Sequence, residues 1–149
     1  MQEPLRAHCY CGGVEWQVGF SATGRALFCH CQSCRRAHSA PLYHVCYVAA
    51  HEFQVTKGAD LVRTYGHARP ETFSRSFCSI CGTRTHNNLK KDGVAVIGVF
   101  PSTFEDPKHA LFEAKVHLHA AEAVLDLDTC FNDSIVRLPG DAPPKAPPG

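Results

Sequence analysis

The sequence predicts a mainly β fold, on three observations. Apolar residues alternate with polar ones over several short stretches, the period-two pattern of half-buried strands. Turn signals recur between those stretches, which suits many short strands. Two cysteine pairs, Cys9-x-Cys11 and Cys78-x-x-Cys81, stand far apart with spacings that suit one shared metal ion. Such an ion would fasten an N-terminal strand onto the middle of the chain.

Each element follows from its own pattern. Val14, Trp16, Val18 and Phe20 alternate with Glu15, Gln17 and Gly19, giving one buried and one wet face. Residues 42–48 are rich in β-branched and aromatic side chains and form a second strand. Residues 52–56 and 61–65 are short strands separated by the turn signal Lys57-Gly58. Phe73, Arg75 and Phe77 alternate with serines and lead into Cys78. Residues 94–100 read as a central strand covered on both faces. Phe112, Ala114, Val116 and Leu118 alternate once more. Helix signals are sparse: residues 33–38 suit one turn of helix, and residues 120–127 are ambiguous.

The chain of 149 residues suits one domain, over residues 1–138. Residues 139–149 are proline-rich without an apolar anchor and read as a flexible tail. Hydrophobic content of 44% with 19% charged residues fits a soluble globular protein. A net charge of +1 and a pI near 7.6 argue against a large nucleic-acid or acidic-membrane footprint. The opening residues 1–6 carry no apolar signal region, and the longest apolar run, 94–100, is too short to span a bilayer. A cytoplasmic location is therefore expected. In that compartment nine cysteines favour metal ligation over disulfides, and an odd number cannot pair fully within one chain.

Seven of the cysteines divide into a complete group and an incomplete one. Cys9 and Cys11, if extended, point to one face with Cα atoms about 7 Å apart. Cys78-Ser79-Ile80-Cys81-Gly82 reads as a tight knuckle, with Gly82 free to take a positive φ. Together they offer four thiolates, a closed structural zinc site; the competing reading is a set of buried free thiols. Cys29-His30-Cys31-Gln32-Ser33-Cys34 offers three thiols without an evident fourth. A zinc ion with three protein ligands usually keeps a position for water or substrate, and acts there as a Lewis acid. Arg35 and Arg36 follow at once, suited to offset the thiolate charge or to hold a substrate carboxylate. Two readings compete. One is a second structural zinc completed by His30, His38, His44, Cys46 or a distant residue; in the other the arginines are ordinary surface residues.

The order of these blocks, His8-Cys9-Tyr10-Cys11-Gly12-Gly13-Val14, then Cys29 to Arg36, then Thr64-Tyr65-Gly66 and Arg75-Ser76-Phe77-Cys78 with Cys81-Gly82-Thr83, resembles the GFA family. That family is named for glutathione-dependent formaldehyde-activating enzyme and shared with centromere protein V. The resemblance runs from about His8 to Leu118. It implies small antiparallel sheets stabilised by a structural zinc at Cys9, Cys11, Cys78 and Cys81. It implies a second zinc at Cys29, Cys31 and Cys34 in the active site, and addition of glutathione to formaldehyde, a carbon–sulfur lyase reaction in the condensing direction. The chain departs from the family pattern in two places. Ala37-His38-Ser39 stands where a small residue and a glycine are common, and Val116-His117-Leu118-His119 where a tryptophan is usual.

The remaining candidates are weaker. His117-x-His119 on one strand face suits a wet surface or, less readily, a metal. His38 and His44 lie near the open group as acid–base groups or a fourth ligand, and His38 is the better placed. Cys46 and Cys130 read as buried core thiols. The expected catalytic set is Cys31, Arg35 and His38, acting with small-molecule thiol and aldehyde substrates. The alternative is a non-enzymatic β module that uses two structural zinc ions to dock a protein or peptide.

Overall fold

Two sheets of unequal size face each other in the computed structural model, which describes residues 2–141. The expected tail lies, from residue 142 onward, outside the described residues. The strands are β1 (Leu5–His8), β2 (Glu15–Val18), β3 (Gly24–Cys29), β4 (Tyr43–Ala49), β5 (Phe53–Lys57), β6 (Val62–Tyr65), β7 (Phe73–Cys78), β8 (Arg84–Lys91), β9 (Val94–Val99), β10 (Val116–Leu118) and β11 (Val136–Arg137). Helices α1 (Gln32–His38) and α2 (Leu127–Cys130) are short. The small sheet has the order β1-β2-β5, and the large one β11-β10-β3-β4-β9-β8-β7-β6. Pairing is antiparallel except at β10, which runs parallel to both β3 and β11.

The mainly β class therefore holds, and alternation explains it. Val14, Trp16 and Val18 are buried in the core between the sheets, against Ala26, Cys46, Val48, Ile97 and Val99 of the large sheet. The other face of the large sheet carries a second cluster, with Leu27, Cys29, Tyr43 and Val45 packed against Cys34 of α1, Phe100 and Val116. Register defines that second face. Cys29 lies opposite Tyr43, Tyr47 opposite Gly98, Gly98 opposite Asn87, and Asn87 opposite Arg75. Directly paired residues share a face, and Tyr43 and Tyr47 are four apart on β4, so Tyr47, Gly98, Asn87 and Arg75 lie on the same face as Cys29, where Arg75 reaches Ser33 of α1.

Two expectations need correction, and one ambiguous stretch resolves. The alternation over 112–118 yields a strand only at Val116–Leu118, because Ala110–Phe112 winds into a 3-10 turn. Burial still alternates there: Phe112, Ala114 and Val116 are inside, Glu113 and Lys115 outside. In β9 the covered part is the C-terminal half; Val94 and Ala95 are exposed beside the Asp92-Gly93 turn. Residues 120–127 hold a 3-10 turn at Ala120–Glu122, and the second helix begins only at Leu127.

Helix α1 ends at Ser39, whose φ of 51° and ψ of 42° place a non-glycine residue in the left-handed region. Glycine enters that region without the Cβ penalty. Ser39→Gly is expected to raise stability by about 0.5–1 kcal/mol in urea titration, allowing for the extra chain entropy of glycine.

His86 sits between the sheets with its ring 4.6 Å from that of Phe53 and its Nδ1 hydrogen-bonded to Thr85 Oγ1 at 3.0 Å. Burial pushes its imidazole pKa down to about 4. The unfolded chain takes up that proton near pH 6.5, the folded chain only near 4. Stability from neutral His86 is thus complete above about pH 6.5 and is lost as pH falls toward 4, a swing of order 2–3 kcal/mol. Urea midpoints measured from pH 7 to 4.5 should fall, and His86→Leu should flatten the slope.

Candidate metal centres

The closed group is built from two knuckles. Strand β1 ends at His8 and the chain turns at once: the Gly12 N–H donates to the Cys9 carbonyl at 3.0 Å, with Gly12 at φ 75°. Cys9-x-Cys11 is therefore a turn and not the extended pair expected from its spacing. After β7 the Gly82 N–H donates to the Cys78 carbonyl at 2.8 Å, with Gly82 at φ 78°, as its sequence implied. The Tyr10 N–H donates to Thr83 Oγ1 at 3.0 Å and ties one knuckle to the other. The sulfurs of Cys9, Cys11, Cys78 and Cys81 all lie within 4.8 Å of one another. Cys9 to Cys11 is 3.5 Å and Cys11 to Cys78 is 3.8 Å. A tetrahedral zinc with Zn–S bonds of about 2.3 Å needs sulfurs about 3.8 Å apart, so the donor set fits that ion.

The open group lies on the other face of the large sheet. Cys29 ends β3, Cys31 caps α1, and Cys34 sits within the helix. Cys31 has φ −61° and ψ 147°, and its Sγ accepts from the Cys34 N–H at 3.2 Å. The three sulfurs lie within 4.8 Å of one another, with Cys29 and Cys34 buried and Cys31 half-buried. Hydrogen bonds from Cys29 and Cys34 hold the Cys31 thiol down at about 2, while the same contact with Cys31 pushes Cys29 up. Three thiolates at this spacing need a cation, and thiolates suit zinc.

None of the sequence candidates for a fourth ligand joins these sulfurs. His30 is fully buried and turned aside, its Nε2 2.9 Å from His117 Nδ1. His117 Nε2 in turn lies 3.2 Å from Asp133 Oδ2. The ring of His38 stacks on Tyr43 with centroids 4.6 Å apart and planes at 10°. Its Nε2 is buried without a partner, and burial, then the charges of Arg84 and Arg75, push its pKa down to about 4. His44 Nε2 bonds the Phe112 carbonyl at 2.7 Å, and Cys46 is buried on the opposite face of the sheet. Among the described residues, no further His, Cys, Asp or Glu completes the trio.

The arginines and the outlying groups divide differently from expectation. Arg35 Nε donates to the His30 carbonyl at 3.1 Å, so this side chain braces the cysteine loop. Arg36 is exposed. His117 and His119 share no wet face and no metal geometry. His117 is wholly buried, whereas His119 has φ 53° and pairs with Glu122 at 3.0 Å and Asp141 at 2.8 Å. Cys130 is exposed on α2, not a core thiol.

A model of the family described as "Glutathione-dependent formaldehyde-activating enzyme" matches residues 4–121, which contain both cysteine groups. The chain belongs to the GFA family. Among solved structures, this GFA-family chain is similar to a Rhodobacter sphaeroides protein determined by crystallography as a structural-genomics target. The two are 27% identical, with a TM-score of 0.54, over 67% of this chain and 87% of that one. No curated protein matches the chain significantly. No helix among the described residues of this family member is long and apolar enough to cross a membrane.

Sequence reasoning missed the polar lining that this GFA-family chain places beside the open group. Arg75 and Asn87 are buried within the large sheet, and Tyr43 Oη lies 3.3 Å from Tyr47 Oη. One signal was present: an arginine at the apolar register of Phe73 and Phe77. Asn87 had none, since it falls in the polar run Arg84-Thr85-His86-Asn87-Asn88 that hides β8.

Proposed function

We propose that this GFA-family chain adds a thiol such as glutathione to an aldehyde such as formaldehyde, as a zinc-dependent carbon–sulfur lyase working in the condensing direction. A bond forms between the thiol sulfur and the carbonyl carbon, and the thiol proton moves to the carbonyl oxygen. The supporting observation is the convergence of Cys29, Cys31 and Cys34 with no fourth metal-binding side chain among the described residues. These residues would hold zinc, which when bound supplies a Lewis acid for the thiol or the carbonyl.

The chain's own groups suit the rest of the reaction. Cys31 is half-buried, so the trio meets solvent on its side. His38 Nε2 has no partner, an atom free to take the thiol proton and pass it to the aldehyde oxygen. Arg35 keeps the loop in shape through the His30 carbonyl. Small-molecule thiols and aldehydes in the cytoplasm are the partners this reading assigns, with no role for nucleic acid or membrane. The alternative, a binding module with two structural zincs, requires a fourth protein ligand at the second ion.

The test loads the protein with zinc to a measured stoichiometry and follows adduct formation from glutathione and formaldehyde by NMR. Acceleration over buffer is expected. A zinc-loaded protein that leaves the rate at the buffer value would overturn the reading.

A further inference from the structure

A single residue, His30, stands between Cys29 and Cys31, and its conformation sets how their two sulfurs face each other. Its backbone is fixed on both sides. The His30 N–H donates to the Leu118 carbonyl at 3.0 Å, and the His30 carbonyl accepts from Arg35 Nε at 3.1 Å. Its side chain is fixed from further away. His30 Nε2 lies 2.9 Å from His117 Nδ1, and His117 Nε2 lies 3.2 Å from Asp133 Oδ2. Both imidazoles are fully buried, whereas Asp133 stands at the surface. Buried ring nitrogens are costly unless they are hydrogen-bonded. The thiol-addition chemistry proposed above uses none of these three side chains.

The carboxylate gives this chain of contacts a direction. Asp133 Oδ2 can only accept, so with neutral rings the proton of His117 sits on Nε2. His117 Nδ1 then accepts from the His30 Nε2–H, and Asp133 has selected the tautomer of both rings. His30 Nδ1 is buried without a partner. This ring is therefore oriented by one hydrogen bond and by stacking on His117, with centroids 5.2 Å apart and planes at 26°. Phe28 and Phe131 flank the His117 ring at 5.1 and 5.0 Å. Asp133 is itself held, its Oδ1 accepting from the Ile135 N–H at 3.0 Å. Phe131 and Asp133 lie between α2 and β11, beyond the residues 4–121 that the family model matches. Strand β11 returns this segment to the sheet, with Arg137 opposite His117 on β10. Arg137 Nη2 donates to the carbonyls of Leu127 and Phe131 at 3.2 and 3.3 Å and closes the segment into a loop.

We propose that Asp133 is a positioning residue for the open cysteine group, acting through His117 and His30 on the loop that carries Cys29 and Cys31. The segment from α2 to β11 is thereby part of the metal centre, although it supplies no donor to it. The inference rests on the reading that the three thiolates hold zinc, and not on the thiol-addition chemistry. A three-sulfur site has no fourth protein ligand to make up for a misplaced one. Its affinity therefore depends on how well the loop is held before the ion arrives. Residues that orient a metal's donors without touching the ion contribute about tenfold to a hundredfold in affinity.

The test titrates the zinc-loaded full chain with a competing chelator and follows metal release. The release step that is missing in Cys31→Ser belongs to the open group. In Asp133→Ala that step should move to about tenfold weaker affinity or beyond, with the closed-group step and circular dichroism unchanged. Cobalt exchanged into the open group should show a shifted thiolate-to-metal absorption in the same variant. His30→Leu should weaken the site likewise. His30→Gln should restore most of the affinity, because its Nε2–H group still donates to His117 Nδ1. An Asp133→Ala chain with wild-type release and wild-type cobalt absorption overturns the proposal, even if it melts earlier; Asp133 would then only fasten its own segment. Equal weakening of both metal groups overturns it as general destabilisation, and so does equal affinity in the two His30 variants. A wild type that holds one zinc, as Cys31→Ser does, fails the zinc reading of the open group and the proposal with it. None of these measurements involves glutathione or formaldehyde, so they are read separately from the test of thiol addition.

Discussion

Cys78→Ser should abolish the cooperative unfolding transition. Cys78 is fully buried at the end of β7 and joins a group whose other members come from residues 9, 11 and 81. A structural zinc contributes roughly 10–16 kcal/mol of apparent binding free energy, which is also folding free energy. Domains of ordinary size have a net stability of about 5–15 kcal/mol, so loss of one ligand removes a comparable amount. Thermal melts followed by circular dichroism should show no sigmoidal transition in the variant, and chelation of the wild type should give the same result. Cys130→Ser, at an exposed thiol, is the control and should melt like the wild type. A sharp melt in Cys78→Ser at unchanged midpoint would refute the structural role.

Cys31→Ser should act on chemistry and leave the fold in place. The variant keeps the helix cap, because a serine Oγ accepts from the Cys34 N–H as the Cys31 sulfur does. It removes one of three sulfurs from the open group and none from the closed one. Zinc content should drop from two ions to one per chain, with circular dichroism unchanged. Acceleration of glutathione addition to formaldehyde should fall by about two to three orders of magnitude, the usual scale for loss of a metal-assisted step. A variant that retains the full rate at one zinc per chain would place the chemistry elsewhere.

Legibility in the sequence followed the physics of each signal. Strands β2 and β7 were readable because burial on one face imposes period two, β4 from its β-branched and aromatic content, and β5 and β6 from the turn signal between them. Strand β8 was not. It carries Arg84, Thr85, His86, Asn87 and Asn88, a polar run without alternation; Asn88 finds partners in Ser74 and Ser76 that only the folded sheet supplies, while the Asn87 amide is buried without one. Cysteine spacing grouped the same thiols that the fold brings together but misjudged local shape, since Cys9 and Cys11 converge through a turn at Gly12 and not along an extended strand. The histidines were least legible. His117 and His119 are two residues apart in sequence, yet one closes a buried pair with His30 and the other lies against Glu122 and Asp141 near the surface. Nothing in residue type distinguishes those fates; the end of β10 at Leu118 does.

Strand β7 joins the two halves of the molecule in a further way. Arg75 and Cys78 are three residues apart on it and point to opposite faces of the large sheet. A slip of one residue would exchange those faces, driving a guanidinium into the apolar core and withdrawing the Cys78 thiol from the other three. A zinc ion held by the closed group would therefore work as an alignment pin as well as a staple. By capturing Cys78 it would allow a single phase for the strand, the phase that presents Arg75 beneath α1. Metal binding on one side of the sheet would dictate where positive charge stands on the other.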